Sequence, residues 1–552
     1  MKSFLCLLLL FPVFVHGQAW QWGRQGIGSD GYSNSAAVDA NGDVYITGVF
    51  SGPYIVFGSD TIWNFSSSMI DDVFLVKYDA LGNVKWARNS IGVGDAALSV
   101  TTDAYGGVYI TGGFTFDTVI FGTALLTTGS NPNYATDMFL VKYDTSGNVR
   151  WAKTALTADT SFVYGTAVKT DAAGNVYVTG FFRSGGLIFG ADTLRNTADT
   201  AYDVFLTKFD SAGNVVWAKQ SKGGRSEDYA NVVTTDVAGN VYIAGNNTSA
   251  YMIFGSDTLI DPSIYLAKYD RSGNLLLAEK LCDAAAKVSS IVCDASGNVI
   301  IGGSFTGTEV FDTDTLVGAP TVSPTGTSTL FLVKLDSAAN VLWARDANGS
   351  CGLASLACDA AGNIFMTGEL NDPWAPWSGG TITIGAYTLT TSGGYDILIA
   401  KYSGAGSVLW AASAGGARDD RGMAITVDAS GNNIYVTGFF SSLDMQIRSD
   451  ELHDGSTSSV FLAKFNPFLG EGVPSETLAT KKISVFPNPA TQELTISASS
   501  PINQVTITSI IGETVFTNAF NTENARVDIS DMPAGVYFIK INGAEVRKFV
   551  KE

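Results

Sequence analysis

Apolar and polar residues alternate at a spacing of two over short runs along most of the chain, and the runs recur. In DAAGNVYVTGFF, which starts at Asp171, an aspartate and a Gly-Asn pair precede such a run. Copies of this opening motif begin at Asp39, Asp103, Asp171, Asp236, Asp294, Asp359 and Asp428, 58 to 69 residues apart. A second motif follows each copy, as in DVFLVKYDALGNVKWAR from Asp72 and DVFLTKFDSAGNVVWAK from Asp203. Alternation rich in Val, Ile, Tyr, Phe and Thr is the signature of a strand. Each repeat therefore predicts four short antiparallel strands, joined in pairs at DxxGN. In such a turn the aspartate accepts backbone N–H bonds and the glycine takes a positive φ.

Four antiparallel strands repeated seven times predict an all-β, seven-bladed β-propeller. The seventh repeat, SVFLAKFNPF from Ser459, breaks off before its NVxWA strand. The missing piece stands at the other end of the chain, in AWQWGRQ, residues 19–25. Trp22 lies as far before Asp39 as Trp86 lies before Asp103. The N-terminal strand is thus expected to pair beside residues 459–466, closing the ring and removing an exposed sheet edge. The recurring Trp22, Trp86, Trp151, Trp217, Trp343 and Trp410 hold one repeat position, where Leu277 stands in the fourth repeat. Leucine replaces tryptophan in packing and not in stacking, so these tryptophans read as core.

The 552 residues are 46% hydrophobic and only 15% charged, with 60 glycines, which suits turn-rich β-structure. A net charge of −19 argues against nucleic acid and anionic membranes as partners. Residues 1–17 read as a secretory signal peptide, with Lys2, an apolar stretch over 4–15 and a cleavage point after Gly17. No later segment approaches the ~20 apolar residues of a membrane span. Cys282, Cys293, Cys351 and Cys358 remain after cleavage, an even number that permits two disulfides or four buried thiols.

The DxxGN turns all fall at one end of the blades. The opposite face collects the long links between the second and third strands, where patterns such as IVFGSDTI at 55 and LIFGADTL at 187 predict extra hairpins. Binding sites favour variable loops on a rigid scaffold. Trp374 and Trp377, in NDPWAPWSGG, are candidate ligand-binding residues there, with Trp63 and Tyr134 beside them. Such rings stack on a sugar or anchor a protein; the alternative is that they cap one blade. Catalytic chemistry is sparse. The mature chain has one histidine, His453, no CxxC pair and no phosphate loop. DxxGN is rich in oxygen but lacks the distal glutamate of an EF-hand loop, so a turn role is preferred to Ca²⁺, and neither metal nor cofactor is expected. The leading expectation is a monomeric glycan- or protein-binding scaffold that is not an enzyme. The alternatives are a polysaccharide-acting hydrolase or lyase, and a purely structural surface component.

After a linker over 467–482, alternation returns in ISVFPNPATQELTISASS, QVTITSIIGETV and ARVDISDMPAGVYFIKIN, predicting a small β-sandwich of about seven strands over 483–552. This segment resembles the C-terminal sorting domain of the type IX secretion system of Bacteroidota. The matching residues are Phe486 with Pro487, Asn488 and Pro489, Gly512, Gly535, Tyr537, Lys540 and the basic end with Lys548 and Lys551. The resemblance implies handling by that secretion machinery and a secreted or outer-membrane-surface location. The repeats over 18–466 resemble the bacterial SBBP-type propeller repeat, which implies a fold and no activity.

Overall fold

The computed structural model describes residues 19–65, 70–128, 136–157, 162–196, 201–224, 226–283, 285–318, 328–370, 381–447, 450–453, 458–466, 484–486, 489–509, 513–542 and 545–552. The elements among them are all β-strands. The chain divides into two compact units, Met1–Glu471 and Gly472–Glu552.

The N-terminal unit repeats one building block. A clear copy runs through Phe162–Thr170, Val176–Arg183, Asp203–Phe209 and Val215–Gly223, each antiparallel to the next. The aspartate of each DxxGN sets the turn. Asp171 Oδ1 accepts the N–H groups of Ala173 and Asn175 at 3.0 and 2.9 Å. Its Oδ2 accepts Asn175 Nδ2 at 2.7 Å and the Tyr177 hydroxyl at 3.2 Å. Gly174 sits at φ +81°, where a side chain is strained; Ala339 bears that strain at φ +67° in the decayed turn after Asp336.

Among the described residues the strand pairings make seven such four-stranded blocks. Ala19–Ile27 lies antiparallel to Ser459–Asn466, with Trp22 opposite Lys464, as the fourth strand of the last block. A short hairpin precedes each third strand. Tyr54–Phe57 pairs with Asp60–Trp63 in the first block and Leu187–Phe189 with Asp192–Leu194 in the third. These hairpins lie outside, against fourth strands: Phe57 pairs with Gly26, and Phe254 with Ser221 of the preceding block.

Second and third strands bury both faces; Val44–Phe50 and Asp72–Tyr78 are buried throughout. Their alternation therefore does not divide core from water. Its polar positions are buried between blocks, where they need partners. Lys208 Nζ donates to the Arg271 carbonyl of the next block at 2.9 Å, Lys268 to that of Ser337 at 2.7 Å, and Lys464 to that of Ala80 at 3.1 Å. The recurrent tryptophans share these acceptors: Trp86 Nε1 donates to the Thr145 carbonyl at 3.0 Å and Trp217 Nε1 to Arg271 at 3.2 Å. Trp22, Trp86, Trp217, Trp343 and Trp410 are at most 8% exposed. Tryptophan recurs because one side chain fills the space between blocks, and in Trp86, Trp151, Trp217 and Trp343 it also satisfies a carbonyl there, which Trp410 does not.

The C-terminal unit has five strands among the described residues, where about seven were expected. Glu493–Ser509 and Thr514–Asp528 stay paired through breaks in register, so runs that read as separate strands are continuous. Leu494, Ile507, Val527, Ile539 and Phe549 form its core.

Candidate functional site

First strands of successive blocks lie side by side, and Asp420–Val427 of the seventh lies against Gly31–Val38 of the first. Hydroxyls tie them together: Thr170 Oγ1 donates to the Thr102 carbonyl at 2.8 Å, and Thr102 Oγ1 to that of Val38 at 3.3 Å. The last residues of all seven first strands surround a cavity of about 540 Å³. Its lining is mostly threonine, valine and alanine, with Lys169 as the one basic residue and Cys293 and Cys358 nearby. Burial lowers the Lys169 ammonium below its ordinary value, and it pushes the Cys293 and Cys358 thiols up to about 12. All four cysteines of the described residues are free thiols. Protonated thiols in a confined space are poor nucleophiles, so this end of the strands offers little chemistry.

The other end of the same strands is where the copies disagree. The position paired across from the end of the second strand is Tyr32, Ala96, Tyr164, Tyr229, Lys287, Gly352 and Arg421 in turn. Around the third block this produces a continuous aromatic surface. Tyr164 lies 5.8 Å from Phe181 and 5.3 Å from Phe162, ring centre to ring centre. Phe181 lies 5.1 Å from Tyr202 and 4.9 Å from Tyr229, both edge-on. These rings are half-buried, and Tyr32 is 40% exposed. The exposed Arg183 guanidinium stands 5.2 Å from the Tyr202 ring. Gly113 of the second block makes room, since a β-carbon there would lie 2.4 Å from the Tyr164 ring.

Hydroxyls and charges border the rings. The Tyr229 hydroxyl donates to Glu227. Burial, then Tyr202, Asp95 and Tyr32, raise the Tyr164 phenol, and burial raises that of Tyr202 against the pull of Arg183. The phenols are therefore hydrogen-bond donors at neutral pH. In the seventh block Arg421 packs 3.7 Å from the centre of the Tyr395 ring and pairs with Glu369 at 2.9 Å. Apolar ring faces beside polar edges can hold a flat, hydroxylated ligand.

The residues singled out in the sequence do not build this surface. Trp63 is 52% exposed but sits on the outer hairpin, its ring tilted against that of Tyr54 at 5.3 Å, because its strand packs beside the fourth strands. Trp374, Trp377 and Tyr134 lie outside the described residues. The sequence signal for the observed cluster is an aromatic at one register position in three blocks, which shows only once the strands are paired. In the C-terminal unit Tyr537 is buried, with its hydroxyl on the Pro533 carbonyl at 2.8 Å; Lys551 is buried, Gly535 half-buried, and Lys540 and Pro489 exposed. Pro487, Asn488 and Gly512 lie outside the described residues, as does the side chain of Lys548.

Residues 484–552 match the family described as the secretion system C-terminal sorting domain. This tail directs export by type IX secretion to the cell surface or extracellular space, so that machinery handles the chain. An uncharacterized WD repeat-containing protein of Acanthamoeba polyphaga mimivirus is 23% identical over 522 residues, covering 78% of this chain and 37% of that protein. The regulatory protein FlaEY of Caulobacter vibrioides is 28% identical over 173 residues, covering 30% of this chain and 18% of that protein. The chain thus spans little more than a third of the longer-matching relative. Among solved structures, a chain of the mitotic checkpoint complex aligns at 11% identity and TM-score 0.40, covering 76% of this chain and 92% of that one. The WD40 repeats of RRP9 align at 7% identity and TM-score 0.37, covering 80% and 97%.

Proposed function

We propose that the repeats form a closed seven-bladed propeller of the SBBP type, from a member of the Bacteroidota, and that the exported protein binds carbohydrate through its aromatic mouth without catalysis. Support for closure comes from contacts that recur unchanged between the last block and the first. Lys464 reaches Ala80 as Lys208 reaches Arg271, and the Gly31 N–H donates to the Ser458 carbonyl at 3.1 Å as Asp228 N–H does to Tyr202 at 3.2 Å. The binding reading rests on the mouth, where Tyr164, Phe181, Tyr202 and Tyr229 form one half-buried surface with Arg183 at its edge. Large aromatic side chains left partly open on a rigid scaffold are the usual anchors of recognition.

A glycan array followed by calorimetry on the full chain tests this. Wild type is expected to bind a defined set of glycans, and Tyr164→Ala or Tyr202→Ala to weaken binding about tenfold or more, each ring contact being worth roughly 0.5–1.5 kcal/mol beyond its buried area. Trp63→Ala should bind as wild type does. No binding, or equal loss on replacing Trp63, refutes the mouth as the site. Release of products from a polysaccharide panel refutes the non-catalytic part.

A further inference from the structure

The aspartates of the DxxGN turns are satisfied by protein donors. At the far end of the strands, the pair Asp72 and Asp95 is not. Asp72 opens a third strand, and Asp95 holds the corresponding position at the start of the next first strand. The Asp95 N–H donates to the Asp71 carbonyl at 3.1 Å, which brings the two residues together across the boundary between the first and second blocks. Both are fully buried, and none of their four carboxylate oxygens has a hydrogen-bond partner. The Phe65 N–H and the Ser90 hydroxyl ease the two charges in part without reaching hydrogen-bond geometry. Two unpartnered carboxylates facing one another out of water are strongly unfavourable unless something positive lies between them.

The surroundings keep that space open. A β-carbon on Gly92 would lie 2.4 and 2.9 Å from the two Asp95 oxygens, so only glycine leaves room there. The pairing also repeats within the chain. The Asp228 N–H likewise donates to the Tyr202 carbonyl and the Asp420 N–H to that of Tyr395, which places Asp203 by Asp228 and Asp396 by Asp420, whereas the equivalent sequence positions are Ser263 and Ala286 at one boundary and Thr329 and Cys351 at another. At the Asp396 boundary the protein supplies its own donors: Asp420 accepts Ser441 N and Ser442 N at 3.1 Å, Gly416 N at 2.6 Å and Ser442 Oγ at 2.7 Å. Among the described residues nothing comparable reaches Asp72 and Asp95.

We infer that Asp72 and Asp95 together bind a divalent cation, Ca²⁺, which ties the first block to the second. The donors are all oxygen, which selects a hard cation over zinc or copper. Among the described residues no third His, Cys, Asp or Glu joins them. Water and backbone carbonyls would therefore fill the remaining positions, and the affinity belongs in the range of extracellular modules, with Kd on the order of 10⁻⁴–10⁻³ M. The proposal is independent of carbohydrate binding.

Ca²⁺ is titrated by calorimetry into the chelator-stripped full chain, with Mg²⁺ for comparison, and thermal unfolding is followed with and without about 10 mM Ca²⁺, roughly ten times the weaker end of that Kd range. Wild type should bind Ca²⁺ and melt about 1–3 °C higher in its presence. The D72N/D95N variant should lose one equivalent of Ca²⁺ and the dependence of its melt on that site, while the turn variant D270N keeps both. A wild-type chain that neither binds Ca²⁺ nor responds to it overturns the inference, whether or not the double variant folds. So does a double variant that binds the same number of ions. A wild type indifferent to Ca²⁺ with a D72N/D95N chain that melts higher would mean that the pair shares protons instead.

Discussion

Replacing Trp22 by alanine tests whether the N-terminal strand is a full member of the repeat. Trp22 is 8% exposed, lies 6.0 Å from the Tyr435 ring, and packs on Gly82, where a β-carbon would be 3.0 Å from the indole. Arg24 covers it at 5.2 Å and bonds the Gly82 carbonyl at 3.0 Å. Burying a tryptophan removes about 150–250 Å² from water. At roughly 25 cal/mol per Å² that is about 4–6 kcal/mol, in line with the ~3–5 kcal/mol that core tryptophan truncations cost. Trp217 occupies the same position inside the chain and is 6% exposed. Trp22→Ala and Trp217→Ala should therefore destabilise by similar amounts, each about 3–5 kcal/mol. Trp22→Leu should cost much less, since Leu277 already serves that position between the fourth and fifth blocks. Urea unfolding followed by far-UV circular dichroism and by limited proteolysis would measure all three. If Trp22→Ala costs under about 1 kcal/mol while Trp217→Ala costs several, the N-terminal strand is a loose edge and the closure argument fails.

The turn aspartates give a second prediction: Asp171→Ala removes acceptors for two backbone N–H groups, an amide and the Tyr177 hydroxyl, and should cost about 2–4 kcal/mol, with Asp171→Asn costing less; equal melting temperatures for wild type and both variants would refute the turn role. A third concerns Lys334, paired with the buried Asp294 carboxylate at 2.8 Å. Burial alone would raise the Asp294 pKa, but Lys334, Asn298 and the Asn298 N–H together hold it below its usual value. A depressed folded-state pKa means stability that is present above the unfolded pKa near 4 and lost as pH falls through the folded value. Lys334→Met should then cost about 3–5 kcal/mol at pH 7 and progressively less below about pH 4, read from urea midpoints across that range; a cost that does not change with pH would show that the ion pair contributes nothing.

The repeat itself was legible because it is local. DxxGN carries its own acceptor and its own glycine, strand alternation needs only neighbours, and FPNP and the basic end are each short signatures, so turns, strand count per repeat and sorting tail all follow from short windows. The tryptophans read as core and are buried. Lys208 and Lys268 are buried as well, because the next block lies over them, and no single repeat contains that fact.

The candidate sites were hidden for the same reason. Aligning copies rewards what they share, whereas Tyr164, Phe181, Tyr202 and Tyr229 meet where the copies differ. Asp72 and Asp95 are 23 residues apart and belong to different repeats, joined by a link that gives no sign of burial. Sequence by itself determined the turns, the strands and the route of export, because each depends on residues adjacent along the chain. Only the tertiary structure decided which side chains face one another between blocks, because that depends on how twisted sheets pack, and it is there that rings are gathered and carboxylates lose their water.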